Sequence, residues 1–302
     1  MFTTSTERLH PVWAFVVSSL LSLAAFFVAG VVAQTVAGQH SLVLEMLFRS
    51  LLTLLLISVY VWLLTIADHV RDHRIATLGL PLTKGWNRQF VIGCIVGLAL
   101  TALAVLPIAI WGNASFTLHL GVRFLPRDAA ALFVLLVGAL AEELMFRGYP
   151  FQHLEEGIGA AGAIAVFSVL FGAVHLSNPG ASVWGLINTV LIAILLAIAY
   201  LRTRALWLPW GIHFGWNATL GFVCGLPVSG LRIFNVVVRT SVAGPKWLTG
   251  DSYGIEASAT GTFAVLVGLV IVWKLPVSRL TQPPLPPLTE PAHENSLSDI
   301  QP

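Results

Sequence analysis

Seven residues of this chain combine chemically useful side chains with helical spacing, and they fall in three short segments. They are Glu142, Glu143 and Arg147, then Phe171 and His175, then His213 and Asn217. Side chains four residues apart share a helix face, which applies to Glu143 with Arg147, Phe171 with His175, and His213 with Asn217. We therefore expect three helices, each presenting one polar turn.

These polar turns offer the groups needed for hydrolysis of a carbonyl compound by water. A carboxylate at low dielectric can act as a general base toward water and then pass the proton on. A neighbouring histidine can orient that water, and a second histidine with a carboxamide can donate hydrogen bonds to the developing oxyanion. Glu143 can pair with Arg147, whereas Glu142 is rotated by about 100° and can point elsewhere. No serine or cysteine nucleophile is required.

The elements that hold these residues must lie in a membrane, because the composition excludes a water-soluble protein. Of the 302 residues, 57% are hydrophobic and 10% are charged, and the mean hydropathy is +0.85. Soluble domains carry about 25% charged residues. A soluble enzyme, a disulfide scaffold, a disordered chain and a nucleic-acid binder are therefore excluded. Ionisable groups inside spans are costly and mark candidate sites.

Eight apolar segments predict an all-α, polytopic transmembrane helix bundle, since lipid tolerates no open sheet edges. The segments are Pro11–Ala33, Leu47–Ala67, Phe90–Trp111, Ala129–Leu154, Ile158–Leu176, Ser182–Leu201, Ala205–Cys224 and Ala257–Trp273. Ten Lys and Arg residues fall on the side of the termini and six on the other side. This asymmetry predicts that both termini are cytoplasmic.

Positions along these helices place Glu142, His175 and His213 at different depths. They can meet only if helices are tilted, kinked or offset, and we expect this at Pro150 and Pro209. The glycine-rich segment 157–162 predicts a tight turn followed by a small-residue packing face.

The chain divides into four parts by composition and motif content. Residues 1–127 hold the first three helices, and 128–224 form the core with helices four to seven. Residues 225–275 comprise an amphipathic loop and the last membrane helix. Residues 276–302 form a Pro-rich polar tail, which we expect to be extended and disordered.

The three segments follow the patterns EExxxR, FxxxH and HxxxN, in that order. They resemble the CPBP family of intramembrane proteases, which groups the type II CAAX prenyl endopeptidases with bacterial bacteriocin-processing and self-immunity proteins. The resemblance covers about residues 128–224. The three motifs together are specific, although each alone is weak.

The resemblance implies a membrane endopeptidase with four catalytic residues: Glu142, His175, His213 and Asn217. The first two would activate water, and the last two would hold the oxyanion. Glu143, Arg147 and Phe171 would have a structural role next to these catalytic residues.

The resemblance leaves the need for a metal open. Family members are often labelled metalloproteases, and Glu142, His175 and His213 could ligate Zn²⁺ with one open position. The glutamate-centred mechanism needs no metal, so we expect no required cofactor, with zinc as the alternative.

The expected partners are the lipid bilayer and a peptide or protein substrate, lipidated in CAAX-type members, but no nucleic acid. The expected location is the bacterial inner membrane.

Two other functions compete with proteolysis. A non-proteolytic scaffold or bacteriocin self-immunity protein of the same fold would use the polar cluster for packing. A proton-coupled transporter would use it as a proton relay, but would be expected to show two corresponding halves, which the sequence lacks.

Other intramembrane proteases are excluded: HExxH is missing, no aspartate lies deep in a span, and no membrane histidine follows Ser229, the candidate serine of a rhomboid-type site.

Overall fold

The structure is a computed structural model that describes residues 10–38, 41–67, 78–111, 113–118, 125–232 and 238–276. Apart from residue 276, the predicted Pro-rich tail lies outside the described residues. Residues 233–237 of the predicted amphipathic loop also lie outside them. The statements below concern these ranges.

The described ranges form a helical bundle with one small sheet. The helices are α1 (Pro11–Ala37), α2 (Leu42–Ala67), α3 (Trp86–Trp111), α4 (Leu125–Arg147), α5 (Tyr149–Val174), α6 (Val183–Thr203), α7 (Trp207–Ala218), α8 (Lys246–Thr249) and α9 (Ala259–Lys274). The strands are β1 (Asn113–Leu118) and β2 (Val238–Ala243). Each of the eight predicted spans overlaps mainly with a different one of the helices other than α8, although most of these helices extend beyond the predicted bounds. The predicted polytopic helical bundle is therefore confirmed.

Five helical segments of the described ranges are long and apolar enough to cross a membrane. They are α1, α2, α3, the stretch Asp128–Ser177 that includes α4 and α5, and α6. Helix α9 is apolar but shorter, at 16 residues. Many large apolar side chains on α1 and α2 point outward, for example Phe27, which is 72% exposed. Such a surface is suited to lipid.

The boundary between α4 and α5 differs from the prediction. The fourth segment was expected to run to Leu154, but α4 ends at Arg147, and α5 begins at Tyr149. Gly148 makes this turn because a Cβ there would overlap the Leu144 carbonyl oxygen. Pro150 lies in the first turn of α5, where its missing N–H costs no hydrogen bond.

The kink that the sequence placed at Pro150 lies instead at Gly159. This residue has φ 80° and ψ 165° within α5, a conformation that favours glycine. The turn predicted at 157–162 is therefore found at Gly159, where non-helical backbone separates residues 149–158 from residues 160–174 of α5.

The two-stranded sheet is an addition that the all-α prediction did not contain. Strands β1 and β2 pair antiparallel, from Asn113 opposite Ala243 to Leu118 opposite Val238. The partners lie far apart in sequence, so no local turn signal predicts the pairing. The sheet joins the connection after α3 to the predicted amphipathic loop.

Helix α7, which carries the third motif, packs directly on α3 through glycines. A Cβ at Gly93 or Gly97 of α3 would overlap backbone atoms of α7, and a Cβ at Gly211 or Gly215 of α7 would overlap backbone atoms of α3. Small residues four apart allow this close approach of two membrane helices. The α3–α7 contact therefore fixes the position of the HxxxN turn.

Candidate active site

A chain of buried charged groups connects α4 with α7. Arg147 donates from Nη1 to Glu143 Oε1 at 3.3 Å, and the same oxygen lies 2.8 Å from His213 Nδ1. The Arg147 Nη2 donates to the Ala193 carbonyl of α6 at 3.1 Å. Because a carboxylate only accepts, Nδ1 of His213 carries the proton in this contact. The other ring nitrogen of His213, Nε2, is then free to face the neighbouring residue.

Glu142 is the neighbour that His213 Nε2 faces. Its Oε2 lies 3.7 Å from Nε2, beyond hydrogen-bond distance. This oxygen is buried and has no hydrogen-bond partner among the described residues. Glu142 lines a cavity of about 230 Å³ between α1, α2, α4 and the site. An unpartnered carboxylate oxygen therefore faces enough space for water, which occupies about 30 Å³ per molecule.

His175 lies at the C-terminal end of α5, where the helix tightens into a 3₁₀ turn. Its Nδ1 donates to the Phe171 carbonyl at 2.7 Å, since a carbonyl only accepts. The centres of the Phe171 and His175 rings lie 4.6 Å apart, and the guanidinium carbon of Arg147 lies 4.7 Å from the centre of the Phe171 ring. The FxxxH spacing thus fixes the His175 ring and leaves its Nε2 available.

The three motifs meet at two adjoining cavities. The larger cavity contains Glu142, and a smaller one extends toward α6 and α9. Both are lined by His175, His213, Asn217 and Ser229. Each motif residue that the sequence analysis selected thus either lines a cavity or contacts a residue that does.

Three further residues of the site were missed by the sequence analysis as functional candidates. Arg49 of α2 lines the larger cavity, with its guanidinium 4.0 Å from the ring of Phe26. Ser229 lines both cavities, and Glu256 lines the smaller one. Arg49 was counted only toward membrane orientation, and Ser229 was set aside because no membrane histidine follows it. His175 and His213, which line the same two cavities as Ser229, precede it in the chain.

Glu256 lies in a 3₁₀ turn, Ile255–Ala257, just before α9, and only 6% of its surface is exposed. Burial raises the pKa of its carboxyl group, because removal from water disfavours the charged form. Hydrogen bonds from Trp216 and Ser229 oppose that rise in pKa. No pattern near Glu256 indicated this burial, since it follows a loop with polar residues.

The described residues do not form the zinc site considered above. No three His, Cys, Asp or Glu side chains within them are grouped so that they could hold a metal ion. Glu142, His175 and His213 are thus not grouped as a metal site in this arrangement, and no step of the proposed reaction passes through a metal.

The segment that contains all three motifs is similar to a known protein family. Residues 128–219 match the family model of type II CAAX prenyl endopeptidase Rce1-like proteins. The family resemblance is therefore confirmed, and it supports a CAAX-type membrane endopeptidase at family level. No curated protein and no solved structure matches the chain.

The matched range extends from α4 to the first residue after α7. It includes the charged chain, the His175 turn and the HxxxN turn. Arg49, Ser229 and Glu256 lie outside it, so these three residues are features of this chain that the family match does not cover.

Proposed function

We propose that the protein is an intramembrane endopeptidase in which Glu142 activates a water molecule for attack on a peptide bond. The observation that carries the proposal is the unpartnered, buried Oε2 of Glu142, which faces His213 Nε2 at 3.7 Å inside a cavity. Two polar atoms at this separation can both contact one water molecule. The carboxylate is then within reach of a proton that it can abstract.

The proposed reaction needs only water and the side chains at the site. Glu142 takes one proton from water while the hydroxyl oxygen bonds to the scissile carbonyl carbon. The carbonyl π electrons move to the oxygen, which becomes an oxyanion. When the oxyanion re-forms the C=O bond, the C–N bond breaks and Glu142 returns the proton to the leaving nitrogen. The products are a carboxylic acid and an amine, which ionise to a carboxylate terminus and an ammonium terminus. His175 orients the water through its free Nε2.

Asn217 and His213 provide the donors for the oxyanion. Both lie on one face of α7, one turn apart, and both line the two cavities. The Asn217 amide and, in the imidazolium form, His213 Nε2 can donate to the same oxygen. Preorganised donors of this kind commonly contribute about 10²–10³-fold to kcat. Glu143 and Arg147 hold the His213 ring in place.

The larger cavity favours a membrane-associated substrate with apolar side chains or an attached lipid. About half of its lining residues are apolar, and the larger of them on α1, α2 and α4 are Phe26, Met46, Val134, Leu135, Met145 and Phe146. Two of these helices, α1 and α2, also carry many exposed apolar side chains. CAAX-like substrates, which combine a peptide with a prenyl group, fit this chemistry.

The proposal is tested by comparison of protein termini in host membranes that carry the wild type or Glu142→Ala at matched expression. We expect new termini with the wild type that are absent with the variant. Glu156→Ala is the matched control, since this glutamate is exposed on α5, away from the cavities. It should give the wild-type set of termini.

A further variant separates activated water from a serine nucleophile. Ser229→Ala should retain hydrolysis within about 10-fold of the wild type, because the proposed attacking oxygen comes from water. Complete loss in a folded Ser229→Ala protein would favour a serine enzyme. Identical termini for the wild type and Glu142→Ala would reject proteolysis and favour a scaffold that uses the cluster for packing.

A further inference from the structure

The buried carboxylate of Glu256 joins two parts of the site that are distant in sequence. Its Oε1 accepts a hydrogen bond from Trp216 Nε1 at 3.0 Å, and its Oε2 accepts one from the backbone N–H of Ser229. Trp216 lies between His213 and Asn217 on α7. One side chain thus connects the HxxxN turn with the turn at Val228–Leu231.

The turn at Val228–Leu231 is tightly held at the edge of both cavities. Val228 and Leu231 form a β-bridge, and Gly230 donates its N–H to the Tyr253 carbonyl at 3.0 Å. Ser229 has φ 47°, which is strained for a residue with a Cβ. A Cβ at Gly230 would overlap the Pro179 carbonyl oxygen. Such a conformation persists only when its surroundings fix it, and Glu256 supplies one of the bonds that do so.

The backbone around Glu256 is anchored separately to α6. Asn188 Nδ2 donates to the Glu256 carbonyl at 2.8 Å and to the Ser258 carbonyl at 3.0 Å, and Asn188 Oδ1 accepts from Thr262 at 2.7 Å. Asn188 therefore holds the backbone from which the Glu256 carboxylate extends. The two bonds of this carboxylate transmit the position of α6 and α9 to α7 and to the Ser229 turn.

Resting on the function proposed above, we propose that Glu256 is a positioning residue of the hydrolytic site. It sets the rotation of the last turn of α7, and with it the donors of His213 and Asn217, relative to the Ser229 turn that closes the cavities. Helix α7 changes to π-helical geometry directly after Asn217 and Ala218, at Thr219–Val223. Because this irregular turn lacks the regular helical bonds, an external contact at Trp216 is well placed to define its orientation.

The test uses the full-length protein in proteoliposomes and a peptide that spans a cleavage site found in the comparison of termini. Glu256→Gln should lower kcat by about 10–100-fold and leave KM within about twofold, since a shift of about 1 Å in catalytic groups can cost 10²-fold. Trp216→Phe removes one donor to the carboxylate and should also lower kcat. The double variant should lose little more than Glu256→Gln alone, because both act through one contact.

Asp251→Asn is the matched control, since this acidic residue precedes Glu256 by five positions and pairs with Lys246 on the exposed surface at 2.7 Å. It should retain the wild-type kcat. A wild-type kcat in folded Glu256→Gln, or strictly additive losses in the double variant, would overturn the proposal. A fall in Tm with unchanged activity per folded molecule would also overturn it, because that result describes a purely structural residue.

Hydrogen–deuterium exchange separates this proposal from the proposed reaction. In Glu256→Gln, the Ser229 amide and the α7 amides after Trp216 should exchange at least about 10-fold faster, while the α6 amides stay unchanged. If the wild type shows no Glu142-dependent hydrolysis, the proposed reaction fails, and exchange still decides whether Glu256 holds the two turns. Unchanged exchange at Ser229 and α7 would reject Glu256 as the group that positions them.

Discussion

Glu143 is the residue through which the charged part of the site is organised. It is fully buried and accepts hydrogen bonds from Arg147 on its own helix and from His213 on α7. A buried charge is costly unless it is paired and hydrogen-bonded. The second guanidinium bond of Arg147, to the Ala193 carbonyl, spreads this pairing to α6. Three helices therefore depend on one carboxylate.

Replacement of Glu143 should separate the stability of this network from its function. Glu143→Met leaves the Arg147 charge unpaired and should lower the free energy of unfolding by about 3–5 kcal/mol. The double variant Glu143→Met/Arg147→Met removes both charges and should recover most of that loss. Hydrolysis should stay low in both variants, because His213 has lost the acceptor that fixes its ring. Thermal unfolding in detergent and the hydrolysis assay measure the two effects.

The control for this pair is the exposed ion pair between Arg204 and Glu155, whose atoms are 2.7 Å apart. Glu155→Met should change stability by less than about 1 kcal/mol, since the Arg204 side chain is half exposed. Full activity in folded Glu143→Met/Arg147→Met would contradict the positioning role of Glu143.

At the level of the elements, the α3–α7 contact determines where the third motif lies. Helix α7 has only 12 residues, and glycines on both helices let the backbones touch. The Thr101 hydroxyl of α3 adds a bond to the Trp216 carbonyl at 3.3 Å. Any group that separates α3 from α7 would therefore move His213 and Asn217.

Gly97→Ala should disturb the site without altering a polar residue. The added Cβ would overlap the Ile212 carbonyl oxygen of α7, one residue before His213. Overpacking of this kind costs about 1–3 kcal/mol, and we expect a clear loss of kcat because α7 must shift. Thermal unfolding and hydrolysis by the purified protein provide the measurement.

Gly157→Ala is the matched control on α5. A Cβ there would meet a Val12 methyl at 3.5 Å and the Pro11 Cβ at 3.9 Å, both of which are ordinary van der Waals contacts. This variant should retain activity and stability. If Gly97→Ala behaved in the same way, the glycine contact would not be what positions α7.

At the scale of the whole molecule, the sheet constrains how the chain crosses the membrane. Strands β1 and β2 pair directly, so the segment between α3 and α4 lies on the same side as the segment before α9. The distribution of Lys and Arg independently predicts that both segments lie on the side opposite the termini. The two lines of argument agree on their common side.

Cysteine labelling tests the predicted orientation. In a background that lacks Cys94 and Cys224, an impermeant maleimide applied to intact cells should label Ser241→Cys on β2. It should not label Lys84→Cys between α2 and α3, because that loop is predicted to be cytoplasmic. Both positions are exposed, so accessibility alone does not separate them. The reverse labelling pattern would invert the predicted topology.

The sequence by itself determined the class of the protein, the helical segments and the three motifs. These are local properties: apolar length predicts spans, and four-residue spacing predicts shared faces such as that of Glu143 and Arg147. The pairing of these two residues is confirmed at 3.3 Å. The same spacing could not reveal the bond from His213 to Glu143, since the two residues lie 70 positions apart.

Only the tertiary structure decided which distant residues complete the site. Arg49, Ser229 and Glu256 come from segments without a motif and reach the cavities through helix packing and loop geometry. Glu142, His175 and His213, which the sequence placed at different depths, line one cavity, and the chain that carries the first two breaks at Gly148 and kinks at Gly159. These features depend on backbone conformation and on contacts between remote segments, which local patterns of residue type do not specify.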